Sequence, residues 1–173
     1  MSKSYLEPSE VKLMEETAIC LRDRLLIRLL FRLGCRISEV LALTVEDVDL
    51  GKNLVTIVHL KSRMRLFCPY CLVRLSKNSH FCPACGDKVD EAVMLEKEHR
   101  RFRTLPIDSD TMAMLKEYID RGGPVSKQGK ELIFGINRHR GWQIVKDCAD
   151  KAGLPPLINP ETGKVRNVSP HRL

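Results

Sequence analysis

Residues 22–49 carry the strongest structural signal in the chain, and they read RDRLLIRLLFRLGCRISEVLALTVEDVD. Its first half is rich in leucine and carries arginines on one side, which predicts an amphipathic helix over residues 22–33 that Gly34 ends. A shorter helix is expected over residues 38–43, and the Thr-Val-Glu-Asp that follows is typical of a turn with a capping side chain. The segment therefore predicts a helical core.

Outside this segment, hydrophobic spacing and turn residues predict further helices and a few strands. The predicted helices cover residues 9–20, 109–121 and about 142–149, and another opens at Ser169, whose side chain can cap a helix that has Pro at its first position. The predicted strands cover residues 54–60, 102–107 and 132–134. The fold class that follows is α+β, mainly α.

Composition and charge limit the classes of protein to consider. The 173 residues are 43% hydrophobic, which excludes a disordered chain, and carry 29 Lys and Arg against 22 Asp and Glu, a net charge of +7. This excess favours a polyanionic partner, although a solvated surface explains it equally well. The longest apolar stretch is broken by Arg28 and Arg32, and the N-terminus lacks the apolar core of a signal peptide, so we expect a cytoplasmic protein with no membrane span.

Four of the seven cysteines form two Cys-x-x-Cys pairs, Cys68 with Cys71 and Cys82 with Cys85, separated by ten residues. Two intervening residues let one tight turn direct both thiolates at one ion, and two such turns supply the four sulfur ligands of a structural zinc site. Disulfides or free thiols are the alternatives. We expect zinc in a structural role, because four protein ligands leave no open position for catalysis.

Residues 22–49 resemble the first catalytic box of the tyrosine recombinase (phage integrase) family, which runs from an Arg-Asp helix through Gly-x-Arg-Ile-Ser-Glu to an acidic turn before a strand. Other features follow in the family's order. A strand ends at Lys61, a returning strand reads Arg103-Thr-Leu-Pro-Ile, and the final Ser169-Pro-His-Arg-Leu is similar to the start of the His-x-x-Arg box.

This resemblance implies a helical core like that of a tyrosine recombinase catalytic domain, with a small antiparallel sheet. The catalytic domain would consist of residues 1–61 and 100–173. Residues 62–99, which contain the four paired cysteines, would be a zinc-ribbon insertion in the turn of the family's β-hairpin, a feature outside the usual pattern.

The resemblance assigns catalytic roles to Arg36, Lys61 and His171. Arg36 would bridge two oxygens of the scissile phosphate, because a planar guanidinium can donate to both at once. Lys61 would act as an acid toward the leaving 5′ oxygen, and His171, near a helix start, as a neutral base. Glu39 would orient a catalytic partner. Spacing alone favours a structural ion pair between Arg36 and Glu39 or Asp47.

The partner that the resemblance implies is double-stranded DNA, bound by a homotetramer. Neither a catalytic metal nor a nucleotide would be needed, because a phosphotyrosine conserves the energy of the broken bond. A solvated edge is the usual explanation of a charge run, but basic residues beside the family's DNA-contacting hairpin favour phosphate contacts. The predicted contacts are Arg63, Arg65, Arg100, Arg101, Arg103 and Arg172.

The family's second catalytic arginine, its later His or Trp and its nucleophilic tyrosine have no counterpart among these residues. Tyr5, Tyr70 and Tyr118 all precede His171, on the wrong side for the nucleophile. We therefore expect a C-terminally truncated recombinase domain that at best binds DNA and cuts nothing. Two other functions fit the sequence: a non-catalytic DNA-binding regulator on a recombinase scaffold, and a zinc ribbon that docks another protein.

Overall fold

The computed structural model describes residues 5–59, 64–76, 79–96, 102–159, 161–171 and 173. The chain divides into two compact units. The first, here called the helical unit, comprises the residues up to Val58 and from Phe102 onward. The second, called the cysteine unit, runs from His59 to Arg101.

The α-helices all belong to the helical unit, and none in the described residues is long and apolar enough to cross a membrane. They are α1 (Pro8–Thr17), α2 (Leu21–Leu33), α3 (Ile37–Leu41), α4 (Ser109–Asp120) and α5 (Arg138–Lys151). The strands are β1 (Val48–Asp49), β2 (Leu54–Val58), β3 (Met64–Phe67), β4 (Arg74–Leu75), β5 (Val93–Glu96), β6 (Phe102–Pro106), β7 (Val125–Lys127), β8 (Lys130–Leu132), β9 (Leu157–Ile158) and β10 (Val165–Arg166).

Helix α2 forms the centre of the helical unit, packed against α1, α3, α4 and α5. Its side chains Leu25, Leu26, Ile27 and Leu29 are fully shielded from solvent. Each such side chain contributes roughly 1.5–3 kcal/mol through removal of apolar surface from water. The leucine-rich segment therefore does form the predicted helical core, and Gly34 ends α2 in the left-handed conformation at φ 53°.

A small antiparallel sheet, in the order β1-β2-β6, lies in the same unit. Strands β2 and β6 pair in the register Leu54 with Pro106 through Val58 with Phe102. Val55 and Ile57 are buried on one face of β2, whereas Thr56 hydrogen-bonds across the other face to Thr104, with 3.1 Å between the hydroxyl oxygens. The predicted pair of strands is present, and the alternation fixes which side chains face the core.

Two predicted elements differ in the structure. The strand expected at residues 132–134 lies instead at β8, which pairs with β7 across a tight turn, and Ile133 and Phe134 beyond its end are fully buried. The Ile133 amide donates to the Leu43 carbonyl at 2.9 Å. The segment from Ser169, expected to open a helix, forms a turn at Pro170 and His171 in the described residues.

The cysteine unit has a different construction. Strand β3 pairs with both β4 and β5. The two tight turns at the Cys-x-x-Cys pairs share one pattern of backbone hydrogen bonds. The amide of Cys68 donates to the Val73 carbonyl at 2.9 Å, and that of Cys82 donates to the Asp87 carbonyl at 2.9 Å. The buried cluster of this unit consists of Cys68, Cys82 and Leu75.

Candidate functional site

Arg36 lies at the start of α3 and is held by the buried carboxylate of Glu39, three residues further along. The Arg36 amide donates to Glu39 Oε2 at 3.0 Å, and its guanidinium Nη1 donates to Glu39 Oε1 at 3.0 Å. Glu39 is 3% exposed, whereas the Arg36 side chain is 48% exposed. One edge of the guanidinium is therefore fixed, while much of the side chain remains accessible to an anion.

The ion pair that spacing alone favoured for Arg36 is thus formed with Glu39. Asp47 has a different partner: one of its carboxylate oxygens accepts from the Thr44 amide at 2.9 Å and from the Thr44 hydroxyl at 2.8 Å. This contact caps the short turn at Val45–Asp47, as the Thr-Val-Glu-Asp pattern predicts.

The turn that precedes Arg36 is short and enclosed. Gly34 ends α2, and Cys35 is buried between it and Arg36. The pKa of the Cys35 thiol is raised to about 12, chiefly by burial and also by the Glu39 carboxylate, while the Arg103 guanidinium acts in the opposite direction. The charges of Glu39 and Arg103 therefore both act at this turn.

Arg103, predicted to contact DNA, has a partner within the helical unit. It lies in β6 opposite Ile57, and its Nη2 donates to the Leu33 carbonyl at 3.2 Å. Leu33 is the last residue of α2. The structure therefore brings Arg36, Glu39 and Arg103 together around the end of one helix.

The structure describes some of the other predicted site residues. His171 is exposed and lies in the turn after the buried Pro170. Arg65 lies in β3, paired in the strand register with Leu95. Several predicted residues fall outside the described residues, namely Lys61, Arg63, Arg100, Arg101 and Arg172.

A basic cleft beside α3 has no counterpart among the sequence predictions. Lys127 and Lys130, on either side of the β7–β8 turn, and Arg138, at the start of α5, line a cleft of about 390 Å³ together with Ser38 of α3. The sequence signal available for it is the spacing of cations in Lys-Gln-Gly-Lys, residues 127–130, and in Asn-Arg-His-Arg, residues 137–140, where α5 begins.

The four paired cysteines converge in the cysteine unit. Their sulfur atoms all lie within 4.8 Å of one another, with 3.6 Å between those of Cys68 and Cys85 and 3.4 Å between those of Cys71 and Cys82. Four sulfurs at 2.3 Å from one tetrahedral zinc would lie about 3.8 Å apart. A disulfide requires about 2.05 Å. The donor set and its spacing therefore fit a metal ion.

The local backbone favours the thiolate form of one of these cysteines. The Cys85 amide and the Ala84 amide, the latter 3.4 Å from the Cys82 sulfur, lower the pKa of Cys82 to about 6. A metal ion requires deprotonated sulfur ligands. The backbone around Cys82 therefore favours the form of this sulfur that a metal ion binds.

Comparison with known proteins identifies related sequences. The sequence profile of the phage integrase family matches residues 5–173. A protein of Caldanaerobacter subterraneus subsp. tengcongensis that is named for the tyrosine recombinases is 30% identical over 146 residues, 80% of this chain and 37% of that protein. Tyrosine recombinase XerD of Corynebacterium glutamicum is 24% identical over 153 residues, 84% of this chain and 38% of that protein. This chain spans less than two fifths of the length of these relatives.

Solved structures share the fold. The XerA recombinase superposes with a TM-score of 0.61 at 18% identity, covering 99% of this chain and 47% of that one. XerH bound to its difH substrate superposes with a TM-score of 0.51 at 19% identity, covering 98% of this chain and 40% of that one. The Tn1549 transposon integrase in complex with transposon right-end DNA superposes with a TM-score of 0.53 at 14% identity, covering 99% of this chain and 50% of that one. The predicted fold, a helical core with a small antiparallel sheet similar to a recombinase catalytic domain, is confirmed.

Proposed function

This chain belongs to the phage integrase family, and on that basis we propose that the whole protein is a site-specific recombinase of double-stranded DNA. It would cut one strand through a 3′-phosphotyrosine and rejoin that strand to a partner. The observation that carries this proposal is the Arg36 guanidinium, which is anchored by buried Glu39 yet remains 48% exposed.

Arg36 is suited to bind the scissile phosphate. Attack on a phosphodiester concentrates negative charge on its non-bridging oxygens, and donors already aimed at that charge stabilise the transition state most. Glu39 supports this role because it fixes the guanidinium plane through Nη1 and the start of α3 through the Arg36 amide. Glu39 is therefore proposed as the residue that orients Arg36.

The remaining catalytic roles follow family membership. We assign Lys61 as the acid toward the leaving 5′ oxygen and His171 as the base, with neither a catalytic metal nor a nucleotide. The exposure of His171 in its turn is compatible with access to DNA.

Double-stranded DNA is the proposed partner, and XerH and the Tn1549 integrase supply support as neighbours solved with DNA. The cations of the basic cleft, Lys127, Lys130 and Arg138, extend the proposed contacts. The other proposed contacts are Arg63, Arg65, Arg100, Arg101 and Arg172, whereas Arg103 donates to the Leu33 carbonyl within the helical unit. Action as a homotetramer in the cytoplasm completes the proposal.

We assign the four paired cysteines to one structural zinc ion, held by Cys68, Cys71, Cys82 and Cys85. All four tetrahedral positions would be filled by sulfur, so the ion would stabilise the fold and would not take part in DNA chemistry. Residues 62–99 would accordingly be a zinc-ribbon insertion within a catalytic domain formed by residues 1–61 and 100–173.

The recombinase proposal is tested by covalent capture. The whole protein should form an adduct with a nicked DNA substrate from which the cleaved end escapes, and Arg36→Ala should reduce the rate of adduct formation by at least ~100-fold. Arg36→Lys should recover little of the lost rate, because an ammonium group cannot make the bidentate hydrogen bonds of a guanidinium to two phosphate oxygens. Arg121→Ala is the matched control, since Arg121 is an exposed arginine whose partner is Glu117. Binding without any adduct from the unaltered protein would identify a non-catalytic DNA-binding regulator.

The 173-residue chain by itself should form no adduct. Tyr118 is 8% exposed and donates its hydroxyl to the Gly123 carbonyl at 2.9 Å, Tyr70 belongs to the cysteine unit, and Tyr5 precedes α1. A covalent band from this chain in the same assay would contradict the assignment.

Exposed apolar side chains favour a second function for the cysteine unit, the docking of another protein. Tyr70, Leu72 and Phe81 are 69%, 61% and 62% exposed. A salt titration of binding to nonspecific duplex separates the two functions. Replacement of Lys97, Arg100 and Arg101 with alanine should lower the salt slope by roughly one for each lost phosphate contact, whereas an unchanged slope would favour protein docking.

A further inference from the structure

We propose that Arg103 is a positioning residue, which holds the turn that carries Arg36 in the geometry needed for phosphate binding. This inference rests on the proposed function, in which Arg36 contacts the scissile phosphate. Its basis is the hydrogen bond from Arg103 Nη2 to the Leu33 carbonyl, at 3.2 Å and across 70 residues of sequence.

The sheet register directs Arg103 toward the helices. Successive side chains of a strand point to opposite faces, and cross-strand partners share a face. Arg103 is paired with Ile57, and two residues further along Leu105 is paired with Val55. Ile57 and Val55 are 2% and 0% exposed. Arg103, although exposed, is thus a cation in a row that is otherwise apolar, on the face opposite to Thr56 and Thr104.

The group that Arg103 meets is one that needs a donor. The last carbonyls of a helix have no partner within the helix and carry the negative end of its dipole. Leu33 is the last residue of α2, and the following Gly34 amide bonds back to Leu30 at 3.1 Å. A guanidinium at this carbonyl makes a charge-assisted hydrogen bond, which is stronger than a neutral one.

Only Gly34 and Cys35 separate this carbonyl from Arg36. Arg103 fixes the turn on its N-terminal side, and Glu39 fixes it on the C-terminal side through the Arg36 amide and guanidinium. The pKa of the buried Cys35 thiol supports this arrangement, since Glu39 raises it and Arg103 lowers it. Arg36 is therefore positioned from both sides, and the loss of either support leaves the turn free to shift.

The first test uses the rate of covalent adduct formation by the whole protein. Arg103→Met keeps the aliphatic part of the side chain and removes every donor. It should lower the rate ~10- to 100-fold, because a displacement of the order of 1 Å in a catalytic group has that effect. The salt slope of DNA binding should not change, whereas the loss of a phosphate contact would lower it by roughly one. Arg103→Lys, which can still donate to Leu33, should recover most of the rate.

Arg24→Met is the matched control. Arg24 also donates to a main-chain carbonyl, that of Glu15 at 3.2 Å, but it lies at the opposite end of α2, about three turns from Gly34. This variant loses the same kind of bond in the same unit and should retain the adduct rate of the unaltered protein. An equal loss of rate in both variants would mean general destabilisation and would overturn the proposal.

The second test needs no activity and uses amide hydrogen exchange in the 173-residue chain. Arg103→Met should accelerate exchange of the Gly34 and Arg36 amides roughly fivefold or more, while Arg24→Met should not. Unchanged exchange at these amides overturns the inference. If the unaltered protein forms no adduct but exchange responds as expected, Arg103 does hold the turn and it is the recombinase proposal that has failed.

Discussion

The helical unit buries a continuous cluster of apolar side chains contributed by every one of its described helices, from Val11 of α1 to Val145 of α5. The cysteine unit, among residues whose burial the structure describes, buries Cys68, Cys82 and Leu75. A domain held by many apolar contacts loses stability in increments when single side chains change. A unit whose buried centre is formed largely by the proposed metal ligands should depend on one ion. The two regions should therefore respond very differently to the same kind of perturbation.

Removal of the metal should produce the largest difference between the units. Structural zinc contributes about 10–16 kcal/mol to the folding of small sites, so Cys68→Ser or a strong chelator should unfold the cysteine unit. The helical unit should keep its structure because its own apolar core is untouched. Amide hydrogen exchange would show loss of protection in β3 and retention in α2. Elemental analysis below half an equivalent of zinc after metal-replete purification would contradict the zinc assignment.

Truncation of a core side chain should have the converse effect. Phe134 is fully buried, and Phe134→Ala should lower the free energy of unfolding of the helical unit by about 3–5 kcal/mol, since it removes apolar contacts and leaves a cavity. Urea unfolding followed by helix content measures this loss. The zinc content should remain one equivalent. Phe102→Ala is the control, because Phe102 is 64% exposed in the same unit. Comparable losses from both variants would contradict a core role for Phe134.

A smaller loss is expected from the ion pair between α1 and α2. Arg28 donates from Nε to both carboxylate oxygens of Glu15, at 3.0 and 2.9 Å, and Glu15 is 7% exposed. Arg28→Met should cost about 3 kcal/mol, because it leaves a buried carboxylate without its cation. Combining it with Glu15→Leu should restore much of the stability, as measured by urea unfolding. A double variant as unstable as Arg28→Met would show that the arginine acts through packing.

The smallest expected effect compares the two turns of the cysteine unit. Leu72 follows the first Cys-x-x-Cys pair at φ 57°, where the second pair has Gly86 at φ 76°. Leu72 is 61% exposed and pays a left-handed backbone penalty that glycine avoids. Leu72→Gly should raise zinc retention against a chelator roughly fivefold, equivalent to about 1 kcal/mol. Gly86→Leu should lower it by a similar factor. A loss of zinc in Leu72→Gly would mean that the leucine side chain makes stabilising contacts.

The elements with strong local signals could be predicted from the sequence. The leucine spacing of residues 22–33 and the glycine after it define α2 within one residue, because periodicity and the left-handed stop are local properties. The paired cysteines likewise indicate their own convergence, since each Cys-x-x-Cys turn is built from adjacent residues. Strand β8 and the burial of Ile133 and Phe134 were predicted less well, because a short apolar run is ambiguous without its neighbours.

The helical core, the pair of hairpin strands, the cysteine cluster and the resemblance to the integrase family could all be inferred from the order of residues. The packed fold was needed to show that Arg36 is anchored to Glu39 rather than Asp47, that Arg103 reaches the end of α2, and that three cations line a cleft beside α3. The reason is physical. A periodic pattern records which face of an element is buried, but the partner of a charged side chain depends on how residues distant in sequence are brought together when those faces pack.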